Sequence, residues 1–293
     1  MKRLFQRPTT YLILAILLVI TILLAPSGWP VQAADPGINK VYISNVRSNT
    51  FTVSWTTDVA SDGHIDYGTT TSLGTTASDT VSSTTTHYVT ISGLNISQQY
   101  YFQVRSDTAT DNNGGAYYQV TTGPALSPPS GGGLVTGTVQ KNASSDPVAN
   151  AVVYVQLQDV DSSGTAGNSQ WVTARSEGNG DWGVNLPGFR TSDFSAYFNY
   201  TTGSDNMRLN YQCGEFGNVG EDGNPLITTI PTADPANLGV QHCDAVPNAI
   251  TLKSFTSESG TEIQWLPYLA LAGLLVLAAV VFLRQRARQK LDS

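Results

Sequence analysis

Residues 50–70 read TFTVSWTTDVASDGHIDYGTT, and their alternation decides the fold. Side chains of an extended chain point to opposite faces in turn, so Phe51, Val53 and Trp55 share one face while Thr52 and Ser54 share the other. The same period recurs at Val89 and Ile91, at Tyr100, Phe102 and Val104, and at Tyr118 and Val120. Runs of Ser, Thr, Gly, Asp and Asn between these segments read as turns. No helical period appears, and the pattern predicts an all-β sandwich.

Alternation resumes further on. Val135, Gly137 and Val139 give one face, followed by Ala151, Val153, Val155 and Leu157, then Trp182, Val184 and Leu186, and finally Leu209 and Tyr211. Between the two patterned regions lies GPALSPPSGGG, residues 123–133, where prolines stiffen and glycines loosen the chain as in an interdomain linker. The expected fold is therefore two tandem β-sandwiches, the first over 38–124 and the second over 133–253, joined by a linker at 125–132.

The two ends specify a membrane address. Lys2, Arg3 and Arg7 precede an apolar stretch from Tyr11 to Leu24, and Val31-Gln32-Ala33 supplies the small residues of a cleavage site, which predicts a secretory signal over 1–33. Trp265 to Leu283 forms an uncharged run of 19 residues followed by Arg284, Arg286, Arg288 and Lys290. At 1.5 Å rise per residue that run reaches about 28 Å, enough for a hydrocarbon core. The expectation is a stalk at 254–264, a transmembrane helix at 265–283 and a cytoplasmic tail at 284–293, with the ectodomain outside by the positive-inside rule. Between the basic ends, eight Lys and Arg stand against 21 Asp and Glu, a balance of −13 within an overall −7. Such an acidic body excludes nucleic acid as a partner, because phosphate neutralisation needs clustered cations.

The first region resembles a fibronectin type III domain through the quoted stretch, HYVTISGLNISQQYYFQVRS at 87–106 and YYQVTTGP at 117–124. Within that group it is most similar to the variant that precedes the catalytic domain of purple acid phosphatases. The resemblance implies that Trp55 is the buried tryptophan of the second strand, Leu94 the leucine before the tyrosine corner and Tyr100 the corner tyrosine. Ile96 stands where the family usually has proline. No metallophosphatase domain follows, and the motifs of its dinuclear metal site are missing from the chain, so that activity does not carry over. The second region, through GLVTGTVQ (133–140), PVANAVVYVQLQD (147–159) and SEGNGDWGVNLPGFR (176–190), resembles the carboxypeptidase regulatory-like or collagen-adhesin B-type sandwich. That resemblance implies a turn glycine at Gly180 and a core tryptophan at Trp182.

Candidate chemistry is sparse. Cys213 and Cys243 lie in the exported body, where an even pair reads first as a disulfide, closing a loop worth about 3 to 4 kcal/mol of chain entropy. Asp159, Asp161, Ser163 and Thr165, with Gly164 between the last two, begin like a calcium loop, yet Gln170 stands where a bidentate Glu belongs, and a hairpin rich in turn formers explains the same residues. His64 and Asp66 share a strand face as a metal pair or, more simply, as solvated residues. No nucleophile elbow, zinc-protease motif or P-loop occurs, so no catalytic residue is assigned and no cofactor is expected beyond calcium. The reading is a non-catalytic, membrane-anchored surface protein serving adhesion, ligand binding or envelope structure, with a protein or glycan as extracellular partner. The rival reading is an accessory subunit of, or an unrecognised, extracytoplasmic hydrolase.

Overall fold

The computed structural model describes residues 36–142, 144–220 and 224–243. The expected signal segment, stalk, transmembrane helix and tail lie outside these. Among the described residues no helix is long and apolar enough to cross a membrane.

The expected strands form. β1 (Ile38–Ser44), β2 (Phe51–Ser61) and β5 (Thr84–Ile91) make one antiparallel sheet in the order β1-β2-β5. β3 (Gly63–Gly68), β4 (Thr75–Ser78), β6 (Gln99–Ser106), β7 (Ala109–Asp111) and β8 (Tyr118–Thr121) make the facing one, ordered β4-β3-β6, with β7 and β8 sharing the free side of β6. Phe51, Val53, Trp55, Val89 and Ile91 pack against Ile65, Tyr100, Phe102 and Val104 in a closed core. Trp55 is fully buried and donates its Nε1–H to Ser106 Oγ at 2.9 Å, so its polar edge is satisfied inside the core.

The second body repeats the plan. β9 (Leu134–Lys141), β12 (Asp181–Asn185) and β16 (Ala236–Cys243) form a sheet ordered β12-β9-β16, in which β16 runs parallel to β9. β10 (Val152–Gln158), β11 (Val172–Arg175), β13 (Asn206–Gln212), β14 (Asn218–Val219) and β15 (Leu226–Thr229) form the other, ordered β11-β10-β13, with β14 and β15 on the far side of β13. Trp182 lies opposite Gly137 in the register, and its indole covers that residue so closely that a Cβ at 137 would sit 2.9 Å from the ring. Glycine there lets the tryptophan lie flat over β9, where it meets Tyr211 edge-on at 5.9 Å. Gly180 turns the chain into β12 at φ +82°, a left-handed conformation that favours glycine.

The two sandwiches stack sheet on sheet, which the alternation does not reveal. Thr52 and Ser54, on the polar face of β2, are buried because the outer face of β10, β11 and β13 covers them. Hydrogen bonds run across this seam, as burial of polar groups favours. The Ser54 and Tyr154 hydroxyls meet at 2.7 Å, and Tyr154 donates onward to Gln212 Oε1 at 2.9 Å. Ser44 and Thr173 hydroxyls also meet at 2.7 Å, while Asn45 Oδ1 accepts from Thr173 N at 2.9 Å and Asn45 Nδ2 donates to Thr173 O at 3.0 Å. Val46 N donates to Gln170 Oε1 and Thr86 Oγ1 to Asn150 O. The start of the linker is held as well, with Gly123 N donating to Arg47 O and Arg190 Nη1 to Pro124 O.

Candidate functional site

The strongest electrostatic feature lies on the seam. Asp79, in the turn before β5, has a fully buried side chain that accepts from Val81 N at 3.0 Å, from Tyr88 N at 2.8 Å, and from Arg175 Nη2 of β11 at 2.6 Å. Arg175 also donates to Tyr88 O at 3.1 Å and lies over the Tyr88 ring at 5.2 Å. A charge-assisted pair thus ties one sandwich to the other in a water-poor setting, where a charge left alone is costly.

Behind Asp79 sits His87, which is fully buried. Its ring stacks on Trp55 at 4.9 Å, its Nε2 lies 3.2 Å from both Thr57 Oγ1 and Ser61 Oγ, and its Nδ1 is 3.8 Å from Asp79 Oδ2. Gly63 abuts the ring so tightly that a Cβ there would collide with Nδ1, which has no hydrogen-bond partner. Burial pushes the imidazole pKa down to about 4, with the Asp79 carboxylate only partly opposing the shift and Arg175 adding to it. Ser61, His87 and Asp79 supply the residue types of a nucleophile, base and orienting acid, a pairing that the sequence does not announce. Ser61 and His87 are both buried, so the arrangement gives a reacting carbonyl no approach. Its chemistry is that of a neutral packed imidazole.

In the acidic loop Asp159 and Asp161 are joined by Asp205, just before β13, with one carboxylate oxygen from each within 4.8 Å of the others. Each is engaged with main chain: Asp159 Oδ1 accepts from Ser162 N, Asp161 Oδ1 from Ser163 N, and Asp205 from Val160 N and Thr201 N. Thr165 Oγ1 accepts from Asn199 N at 3.0 Å, which ties it to the neighbouring loop. Asp205 is out of reach of sequence reasoning because it lies far along the chain from Asp159.

Other expected residues fall as follows. Cys213 and Cys243 form a disulfide, tying the end of β13 to the end of β16. Asp66 holds Arg105 through paired hydrogen bonds of 2.7 and 3.1 Å and also accepts from Thr76 and Gln103. Partial burial pulls that carboxyl upward, but these donors outweigh it and leave the pKa below the usual value. His64 meets Ser78 Oγ through Nδ1 at 3.0 Å, so His64 and Asp66 each have a separate partner on the sheet surface. Leu94 is buried and Tyr100 accepts, at its hydroxyl, the N–H of Asn95 at 2.9 Å. This closes a tyrosine corner over the core.

The fibronectin type III domain model matches residues 35–123. The first sandwich is a fibronectin type III domain. In this domain Trp55, Leu94 and Tyr100 are buried, and His87 stacks on Trp55. No curated protein matches the chain. Among solved structures it is similar to the pilus 2b backbone protein of group B streptococcus, at 8% identity over 71% of this chain and 97% of that one with a TM-score of 0.25. The major pilin subunit of Bacillus cereus is similar at 8% identity over 71% and 70%, with a TM-score of 0.22. A 9R-lipoxygenase from Cyanothece shares 14% identity over 38% of this chain, which spans only 16% of the enzyme, with a TM-score of 0.22.

Proposed function

We propose that the chain is a non-catalytic surface protein, held by a C-terminal membrane anchor, whose two stacked sandwiches serve adhesion or envelope structure. The observation that carries this reading is the seam. A fibronectin type III domain fused by buried hydrogen bonds and the Asp79–Arg175 pair to a second sandwich resists relative motion, as a load-transmitting or presenting element must. The acidic body and basic C-terminal tail support the orientation, and the Trp265–Leu283 run supports the anchor. For the second sandwich, the Gly137–Trp182 pairing and the Gly180 turn support the carboxypeptidase regulatory-like or collagen-adhesin B-type reading. The nearest approach to a catalytic set, Ser61 with His87 and Asp79, is interior, which supports a role other than hydrolysis.

Proteolysis of intact cells tests the address. With an epitope appended after Ser293, external protease is expected to remove the sandwiches while the epitope stays cell-associated and protected. A body that is degraded only after lysis contradicts the proposal.

A further inference from the structure

We propose that the crevice where the two sandwiches meet beside β1 seats the acetamido group of an N-acetylated sugar. Tyr42 and Ile43 of the fibronectin type III domain form one wall, and Tyr154, Trp171, Asn210 and Gln212 of the second sandwich form the other, around a cavity of about 30 Å³. The stack creates this site, and clefts between modules are a usual place for small ligands.

The chemistry of the lining selects the group. Asn210 is only 7% exposed, and its Oδ1 is buried with no hydrogen-bond partner. Buried acceptors are rarely left so, and an amide oxygen can only accept, so an incoming group must bring a hydrogen. Gly220 lies against that oxygen, and a Cβ there would stand 3.0 Å from it, so the absence of a side chain keeps the approach open. Lys40 stands at the rim with its Nζ 3.0 Å from the Asn218 side-chain amide, and its charge disfavours a cationic donor. The donor is thus a neutral O–H or N–H.

The rest of the lining narrows it further. The Tyr42 and Tyr154 rings meet edge to face at 5.2 Å, which with Ile43 makes an apolar wall suited to a methyl group. Gln212 turns its oxygen to the Tyr154 hydroxyl and contributes its amide nitrogen as a donor for a carbonyl. One N–H, one carbonyl and one methyl are what an acetamido group presents. A space of this size holds about two waters, which suits four heavy atoms and leaves a sugar ring at the mouth. There Trp171, backed by the Arg208 guanidinium at 5.8 Å, offers an aromatic side for it.

The proposal deepens the adhesive reading and rests on it for its biological setting. Sugar binding can fail while surface exposure is confirmed, and the reverse, so the two failures are separable. The purified full-length chain is titrated with tri-N-acetylchitotriose and in parallel with cellotriose, which has the same linkage but no acetamido groups, followed by tryptophan fluorescence and calorimetry. Saturable binding of tri-N-acetylchitotriose with a Kd below about 1 mM is expected, with cellotriose weaker by about tenfold or more. Asn210→Leu keeps the shape, removes the unpaired acceptor and is expected to lower affinity about tenfold with an unchanged melting temperature. Trp171→Ala, at the half-buried mouth, removes the aromatic side offered to the sugar ring and is expected to weaken binding about tenfold, which decides the matter if the first variant does not fold. No saturation by about 10 mM, equal affinity for the two sugars, or native affinity in the folded variants overturns the proposal.

Discussion

Acidification is expected to destabilise the fibronectin type III domain through one residue, His87. In the folded chain its pKa is about 4, while in the unfolded chain it returns to about 6.5. The folded state therefore binds fewer protons than the unfolded state between these values, and unfolding gains as protons are added. The stabilising contribution of the neutral imidazole is fully present above about pH 6.5 and falls through the window down to about pH 4. The loss is worth about 2 kcal/mol by pH 5 and about 3 kcal/mol by pH 4, since each tenfold difference in proton affinity between the two states is worth about 1.4 kcal/mol. Other carboxyls titrate in the same range, so the native chain alone does not isolate the effect. Comparison with His87→Gln does, since the variant keeps a polar group near Thr57 and Ser61 and has no proton to take up. Urea unfolding of both proteins at pH 7.5, 6, 5 and 4 gives the gap in stability between them. That gap is expected to move in favour of the variant by about 3 kcal/mol between the first pH and the last. A gap constant to within about 0.5 kcal/mol would refute the assignment of a buried neutral histidine.

Removing the disulfide by Cys213→Ala with Cys243→Ala is expected to cost the second sandwich about 3 to 4 kcal/mol, because it frees a loop closed across 30 residues; thermal melting of the double variant checks it. Tyr100→Phe removes the hydroxyl that accepts from Asn95 N and is expected to cost about 1 to 3 kcal/mol in urea unfolding, since it leaves that N–H without its partner; an unchanged midpoint contradicts the corner. Asp79→Asn leaves Arg175 without its carboxylate and is expected to cost about 3 kcal/mol or more at neutral pH, a loss that an exposed pair would not show.

Each sandwich core is legible because burial on one face of a strand writes itself into a period of two. Phe51, Val53 and Trp55 declare their side of β2, and Val153, Val155 and Leu157 declare theirs on β10. The seam is hidden by the same rule. Thr52 and Ser54 occupy positions that normally face water, and a partner sheet about a hundred residues away buries them, with Ser54 hydrogen-bonded to Tyr154 across the seam. His87 escapes for a related reason: a polar residue in a strand looks solvated until its neighbours Trp55, Gly63 and Asp79 are brought around it. In the acidic loop, Asp159 and Asp161 are visible as a local pattern, whereas Asp205 arrives through tertiary folding alone. The cysteine pair needs no geometry, since an even pair in a chain expected to be exported already reads as a disulfide.

The seam makes one mechanical unit of the two sandwiches, and scanning calorimetry of the full-length chain tests that most directly. A single cooperative transition is expected for the native chain, splitting into two in Arg175→Met, where the charge pair across the seam is lost. Two resolved transitions in the native chain, unchanged by that substitution, would show that the sandwiches unfold independently and would contradict a single unit.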